Sequence, residues 1–303
     1  MALTAEQILN RSKGVGGSEC AMALGVSKFK TARELYHEKR GELESTFLDD
    51  SDVIWWGNAL EPIVRQKYAE TTGRIVRLPQ ETQFSAEHDF MLCHVDGVSE
   101  DQNGHDPRGY EGKTAFLSTG WGEEYTDQIP EDYLLQVHHN LIVTQLPAFD
   151  VMSLIDRRFR MYCVEPDKEL HEMIIEGERE FMRRVREGDP PPLDYQHKTA
   201  LDVVRKLYPG TNGVRLIANE DQTRWRELMQ AAAAAESKAK AEKEGWKARL
   251  LESMSEAALL AFPDGKAFRR QETKRAAYTV DASVYVDSRF VNDPLATKGA
   301  TRK

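Results

Sequence analysis

An acidic residue in His94-Val95-Asp96-Gly97, followed at about one hairpin's distance by Glu111-Gly112-Lys113, constrains this chain more than any other feature. Side chains alternate along a β-strand, so Glu111 and Lys113 point to one face if they share a strand. Asp96, on a neighbouring strand, then faces Glu111 across the ladder. Two carboxylates so placed are hard oxygen donors suited to Mg²⁺ or Mn²⁺. Lys113 beside them can hold a water or, with a depressed pKa, accept its proton. A surface salt bridge in a polar hairpin is the competing reading of the same residues.

The surrounding pattern predicts an α/β or α+β core, a central mixed sheet flanked by helices. Residues 17–26 read as a short helix with Ser18 as N-cap and Gly25 as stop. Residues 31–40 read as a second helix, capped by Thr31 and ended by Gly41. In 55–72, Leu60, Val64 and Tyr68 recur at helical spacing, and Pro62 places the regular helix near Leu60. Short strands follow at 74–77 and 82–84, then a stronger one at 91–98 and a return strand at 109–115. The turn-rich stretch 101–108 forms the hairpin tip. A helix at 131–145, a hairpin of 151–155 with 158–164 turning at Asp156-Arg157, and an amphipathic helix at 167–186 complete the core. Gly188-Asp189-Pro190-Pro191-Pro192 marks a boundary, giving domains 1–192 and 193–303. Beyond it, Ala231–Ala235 and the charged run after them predict a helical hairpin or coiled-coil arm. A small β-hairpin at 262–281 and a basic tail after Asn292 follow.

Other residues cluster with this pattern. Glu61, near the start of the 55–72 helix, is placed to reach a metal directly or through water, although a helix N-terminal acid also suits the dipole. Gln136 is placed to bond the attacking water or Lys113. His138 and His139 point about 100° apart on a helix and read as packing or surface residues. The Gly-rich run from Arg11 to Ser18 leads into a helix N-terminus, where free N–H groups attract phosphate. Ser18 adds a hydroxyl and Arg11 a bidentate clamp. The run lacks the order of a nucleotide P-loop. Trp55, Trp56 and Trp121 read as core residues, with base stacking as the alternative.

Composition limits the options. The 303 residues carry a net charge of −9, which disfavours a generally basic nucleic-acid binder but permits an enzyme with positive charge confined to a channel. There is no apolar run long enough to span a membrane and no signal peptide at Met1-Ala2-Leu3. Cys20, Cys93 and Cys163 are too scattered for a zinc or iron–sulfur site, and reduced cytosolic thiols are expected.

Five segments together resemble the phage lambda exonuclease-like, YqaJ-type viral recombinase nucleases of the PD-(D/E)xK superfamily. They are GGSECAMALGVSKFKTARELYHEKRGE, WGNALEPIVRQKYAETTG, HVDG, EGKTA and YLLQVHHNL, in that order between about Arg11 and Arg186. The resemblance implies a restriction-endonuclease-like core and Mg²⁺-dependent 5′→3′ digestion of double-stranded DNA. The product is a 3′ single strand for an annealing protein. It assigns Asp96 and Glu111 as metal acids, the Gly112 carbonyl as a further ligand and Lys113 as the catalytic lysine. Glu61 and Gln136 become supporting residues, and Arg11 and Ser18 bind the 5′-phosphate. One or two ions, a homotrimer around DNA, and the cytoplasm of a phage-infected or lysogenic bacterium follow by the same analogy. A nicking or structure-selective endonuclease, and a non-catalytic DNA-end or recombinase-binding module, remain as alternatives.

Overall fold

The computed structural model describes residues 13–44, 52–79 and 81–273. The chain forms two compact units, Met1–Tyr208 and Pro209–Lys303.

In the first unit, β1 (Val15–Gly16) leads through a 3₁₀ turn (Gly17–Glu19) into the one-turn helix α1 (Cys20–Ala23). Gly25 ends it with a φ of +76°. The expected helix with a Ser18 cap is therefore two short pieces, and Glu19 rather than Ser18 precedes the α-helical turn. α2 (Ala32–Lys39) matches expectation, with the Thr31 side chain accepting from Glu34 N and Gly41 following.

α3 (Asp52–Thr72) begins well before Leu60 and carries Pro62 inside it. The φ imposed by proline is itself helical; what it lacks is an N–H. Val64 and Tyr68 are fully buried, and the Gly57 backbone lies against Thr114, so sheet packing holds both halves of the helix in line.

Next come β2 (Ile75–Arg77), β3 (Gln83–Phe84), β4 (Met91–Cys93), β5 (Gly97–Glu100) and β6 (Arg108–Ala115). The single strand expected at 91–98 is thus two strands, and they belong to different sheets. β4 joins a three-stranded sheet of order β1-β4-β3, while β5 joins a five-stranded sheet completed by β7 (Phe149–Ile155) and β8 (Arg158–Val164), of order β2-β5-β6-β7-β8. β6 and β7 run parallel; the other pairs of that sheet are antiparallel. Asp156 and Arg157 both adopt positive φ, 45° and 66°, as a tight two-residue hairpin turn requires.

α4 (Glu131–Thr144) and α5 (Lys168–Glu187) cover one face of this sheet. There Val151, Ile155, Leu135, Val137, Leu141, Ile174 and Phe181 form the main core. On the opposite face Val64 and Tyr68 of α3 pack against Tyr110 and Met152. The result is the expected mixed sheet flanked by helices.

This unit continues past Pro192. Arg33 Nε donates to Pro191 O at 2.6 Å, His197 Nε2 meets Ser27 O at 3.1 Å, and Lys206 pairs with Glu34 at 2.7 Å. α6 (Ala200–Leu207) buries Ala200 and Val203. The compact unit therefore ends at Tyr208, where the proline run had suggested Pro192.

In the second unit, where a helical hairpin or a coiled-coil arm was expected, the chain forms one continuous helical arm, α7 (Glu220–Met254), of 35 residues. At 1.5 Å per residue it is roughly 50 Å long. Asn219 and Gln222 form its capping box. No proline or turn sequence interrupts its Ala-rich and charged stretch, and Gly245 alone does not break it. β9 (Leu259–Ala261) and β10 (Ala267–Arg269) then pair around Pro263-Asp264-Gly265-Lys266, so the first strand lies earlier than expected. The tail after Asn292 lies outside the described residues.

Candidate active site

β6 places Glu111 and Lys113 on the face covered by α4, as alternation predicts. Lys113 Nζ donates to Glu111 Oε1 at 2.7 Å and to Gln136 Oε1 at 2.9 Å. Gln136 Nε2 donates to the same Glu111 Oε1 at 2.7 Å. Glu111 is buried, and its other oxygen, Oε2, has no hydrogen-bond partner.

Asp96 enters from the break between β4 and β5. The β5–β6 ladder starts at Gly97↔Tyr110, so Asp96 stands one residue before the strand where it was expected. Only glycine fits at 97: a Cβ there would lie 2.5 Å from Val76 Cγ1 and 3.3 Å from Tyr110 Cδ1. Released from the ladder, the Asp96 side chain reaches across, and its Oδ2 accepts the Gly112 N–H at 2.9 Å. Gly112 keeps that approach open, because a Cβ would come within 3.0 Å of the Tyr110 hydroxyl and 3.7 Å of Asp96 Oδ2.

Burial pushes the Asp96 carboxyl up to about 7, and the nearby negative charge of Glu111 adds to this. Lys113 and the Gly112 N–H pull the other way. For Lys113, burial lowers the pKa, but Glu111 and then Asp96 outweigh it, and the ammonium ends above its ordinary value. In the metal-free fold these two carboxylates hold the Lys113 ammonium protonated.

Two close carboxylates, one of them with an orphaned buried oxygen and the other reluctant to ionise, share the single positive charge of Lys113. A buried unsatisfied acceptor costs about 1–3 kcal/mol, and a divalent cation with oxygen ligands answers both deficits. The donor set fits that group.

Glu61, on α3, accepts from Arg65 Nη1 at 3.2 Å. Its negative charge also raises Asp96 and Tyr110, so it approaches the site from the α3 side. Ser18 is exposed within the 3₁₀ turn. The adjacent Gly17 backbone abuts α4 so closely that a Cβ would collide with Asn140 and lie 3.3 Å from Gln136 O. Ser18 therefore sits next to the α4 turn that carries Gln136. Arg11 lies outside the described residues. Trp55 and Trp56 are exposed, against the core expectation, while Trp121 is buried.

Two supporting clusters escaped sequence reasoning. Glu19, buried, accepts from Gly16 N at 2.9 Å and from Lys39 Nζ at 2.6 Å, and Lys39 also donates to Gly14 O at 2.7 Å. This pair fixes the glycine loop to α2; Glu19 directly after Gly-Gly-Ser was the only local signal. His139 is fully buried between Glu178 Oε1 at 2.7 Å and Leu92 O at 2.9 Å. Burial disfavours its charge, but Glu178 outweighs burial and its pKa is raised. Cys20 completes a group of donor atoms within 4.8 Å of one another. Both imidazole nitrogens are engaged as donors and burial keeps the Cys20 thiol protonated, so this cluster is an internal ion pair joining α4 to α5 and β4. The low helical angle argument for His138 and His139 gave no sign of it.

The sheet order β2-β5-β6-β7-β8, with Asp96 at a strand break and Glu-x-Lys on the adjacent central strand, is a mixed α+β core flanked by helices. Residues 8–147 match the family described as the YqaJ-like viral recombinase domain. The uncharacterized protein YqaJ of Bacillus subtilis (strain 168) is 30% identical over 218 residues, 70% of this chain and 66% of that relative, just under two thirds of its length. Residues 8–147 are thus similar to the YqaJ-like viral recombinase domain. Solved structures similar to it include an alkaline exonuclease, LHK-Exo, from Laribacter hongkongensis, at TM-score 0.47 and 18% identity over 61% of this chain and 94% of that one. A phage related exonuclease from Haemophilus somnus 129PT gives TM-score 0.44 and 15% identity over 58% and 96%. Among the described residues no helix is long and apolar enough to cross a membrane.

Proposed function

We propose that this protein is a Mg²⁺-dependent DNA exonuclease of phage or prophage recombination. It digests 5′→3′ from a 5′-phosphorylated duplex end and leaves a 3′ single strand for an annealing protein. The observation that carries this reading is the convergence of Asp96, Glu111, Lys113 and Gln136 where β5 parts from β6. The YqaJ-like domain supports the recombination context.

In this reading Asp96, Glu111 and the Gly112 carbonyl hold one or two divalent ions, with Glu61 assisting through water. A divalent ion such as Mg²⁺ or Mn²⁺, held by these residues, would supply Lewis-acid polarisation of the phosphate and a water of lowered pKa. Lys113, a buried ammonium, orients that water and offers positive charge to the phosphate oxygens. Gln136 keeps Lys113 and Glu111 in register. Arg11 and Ser18 seat the terminal 5′-phosphate; a phosphate anchored at a fixed distance from the acids restricts cleavage to ends. A homotrimer around DNA and a place in the bacterial cytoplasm belong to the same reading.

End-labelled linear duplex, with and without a 5′-phosphate, and a covalently closed circle test it in Mg²⁺ and in EDTA. Rapid loss of the 5′-phosphorylated linear substrate, with the circle intact and EDTA blocking, is expected. Arg11→Ala should slow phosphorylated ends more than 5′-hydroxyl ends. Cleavage of the circle at a similar rate would replace the exonuclease with an endonuclease, and inert DNA in both Mg²⁺ and Mn²⁺ would remove the enzyme altogether.

A further inference from the structure

The Lys113 ammonium has three N–H bonds, and two of them go to Glu111 and Gln136. Across its remaining side lies the ring of Tyr133, whose centroid is 4.8 Å from Nζ. That is within the range of a cation–π contact, which strengthens where water is excluded. Lys113 is such a case, with its side chain 15% exposed.

The ring is held in place from behind. Trp121 packs on Tyr133 with centroids 5.8 Å apart and planes tilted by 42°, and Trp121 packs in turn on Tyr162 of β8 at 5.2 Å and 43°. Trp121 and Tyr162 are buried. Tyr162 lies opposite Val151 in the sheet register, so a row of three aromatic rings runs from the sheet to the lysine. Tyr133 also sits three residues before Gln136 on α4, and residues three apart share a helix face. One helix thus delivers both the amide and the ring to the same ammonium.

We infer that Tyr133 is a positioning residue, whose ring face, backed by Trp121, holds the Lys113 ammonium in its reactive orientation. This rests on the nuclease reading above for its effect on rate, but the contact itself does not. The ring matters and the hydroxyl does not, because the quadrupole that attracts a cation belongs to the aromatic face. An aliphatic side chain of similar volume fills the space without that attraction. Lys113 then keeps its two hydrogen bonds but gains freedom to swing about them.

The test uses the full chain and the variants Tyr133→Phe and Tyr133→Leu. Steady-state kinetics on 5′-phosphorylated duplex should show kcat reduced about tenfold in Tyr133→Leu, the size of effect expected for a desolvated cation–π contact. KM should be unchanged, and Tyr133→Phe should retain the wild-type kcat. Independently of activity, NMR of ¹³C-lysine-labelled protein without metal should show the Lys113 ε-methylene shifted upfield by the ring. That resonance is assigned by its loss in Lys113→Arg. The shift should persist in Tyr133→Phe and vanish in Tyr133→Leu.

Wild-type kcat in Tyr133→Leu would overturn the proposal. So would a Phe variant as slow as the Leu one, or an unshifted Lys113 resonance in the wild type. If leucine at 133 unfolds the chain, Tyr133→Met gives the same reading without a ring face. If the wild type hydrolyses no DNA at all, the nuclease reading falls, and the NMR arm still decides the contact.

Discussion

Gln136 Nε2 and Glu111 Oε1 are 2.7 Å apart, and the same Glu111 oxygen also takes the Lys113 ammonium at 2.7 Å. With Gln136 Oε1 accepting from Lys113 in return, the three side chains close a ring of hydrogen bonds between β6 and α4. The glutamine therefore sets the distance between lysine and glutamate and turns the other glutamate oxygen away from them.

Gln136→Ala should lower kcat on 5′-phosphorylated duplex by about 10- to 100-fold, the effect of losing the one hydrogen bond by which Gln136 orients the Lys113 ammonium, worth roughly 1.5–3 kcal/mol. The thermal midpoint should fall by several degrees as well, because both hydrogen bonds also tie α4 to β6. Unaltered kcat in a folded variant would show that the ring is ornamental to turnover.

Metal binding should depend on pH through Asp96. Its carboxyl rises from 3.8 to about 7 in the metal-free fold, so between those values the native state holds a proton that the unfolded chain has released. Stability of the metal-free protein accordingly falls as pH rises through this window. A divalent cation needs the ionised carboxylate, so the thermal stabilisation by saturating Mg²⁺ should be larger at pH 8 than at pH 5.5. Asp96→Asn should abolish most of it. Differential scanning calorimetry with Mg²⁺ and with EDTA reads both; equal increments at the two pH values would contradict the assignment.

His138 should impose the opposite slope. It is buried against His171, with the ring nitrogens 3.1 Å apart, and burial first, then His171, lowers its pKa from 6.5 to about 4. Below 6.5 the unfolded chain takes up a proton that the native state refuses, so stability is lost as pH falls from about 6.5 towards 4. The loss is at most on the order of 3 kcal/mol. Urea titrations in saturating Mg²⁺, which suppresses the Asp96 contribution, should show this slope in the wild type and a flatter one in His138→Gln. Parallel slopes would exclude His138 as the source.

Replacing His139 should be costly for the fold. His139→Leu strands the Glu178 carboxylate, which is fully buried and already has one oxygen without a partner. Removing one member of a buried pair typically costs about 3–5 kcal/mol. The double variant His139→Leu with Glu178→Leu should recover much of that loss in urea denaturation. A single variant as stable as the wild type would mean that Glu178 is protonated without its partner.

The elements of the core were legible because their signals are local. Thr31 and Gly41 bracket α2, Asp156-Arg157 turns the β7–β8 hairpin, and Asp167 and Gly188 bracket α5. The alternation that puts Glu111 and Lys113 on one face is a property of any strand, and the spacing of Gln136 on its helix needed no tertiary information. The chain break at Asp96 was not legible, because 91–98 is continuously strand-like and its division depends on which partners each half finds: β1 and β3 for the first half, β2 and β6 for the second.

The order of residues alone determined which side chains can meet at the candidate site, since strand and helix periods are set within a few residues of each. Only the tertiary structure decided how they are charged and what holds them. Burial raises Asp96, the Glu111 and Asp96 charges keep Lys113 protonated, and Glu19–Lys39 and His139–Glu178 fasten the surrounding elements. Desolvation and Coulomb forces depend on distances in space, and these pairs lie 20 and 39 residues apart in the chain.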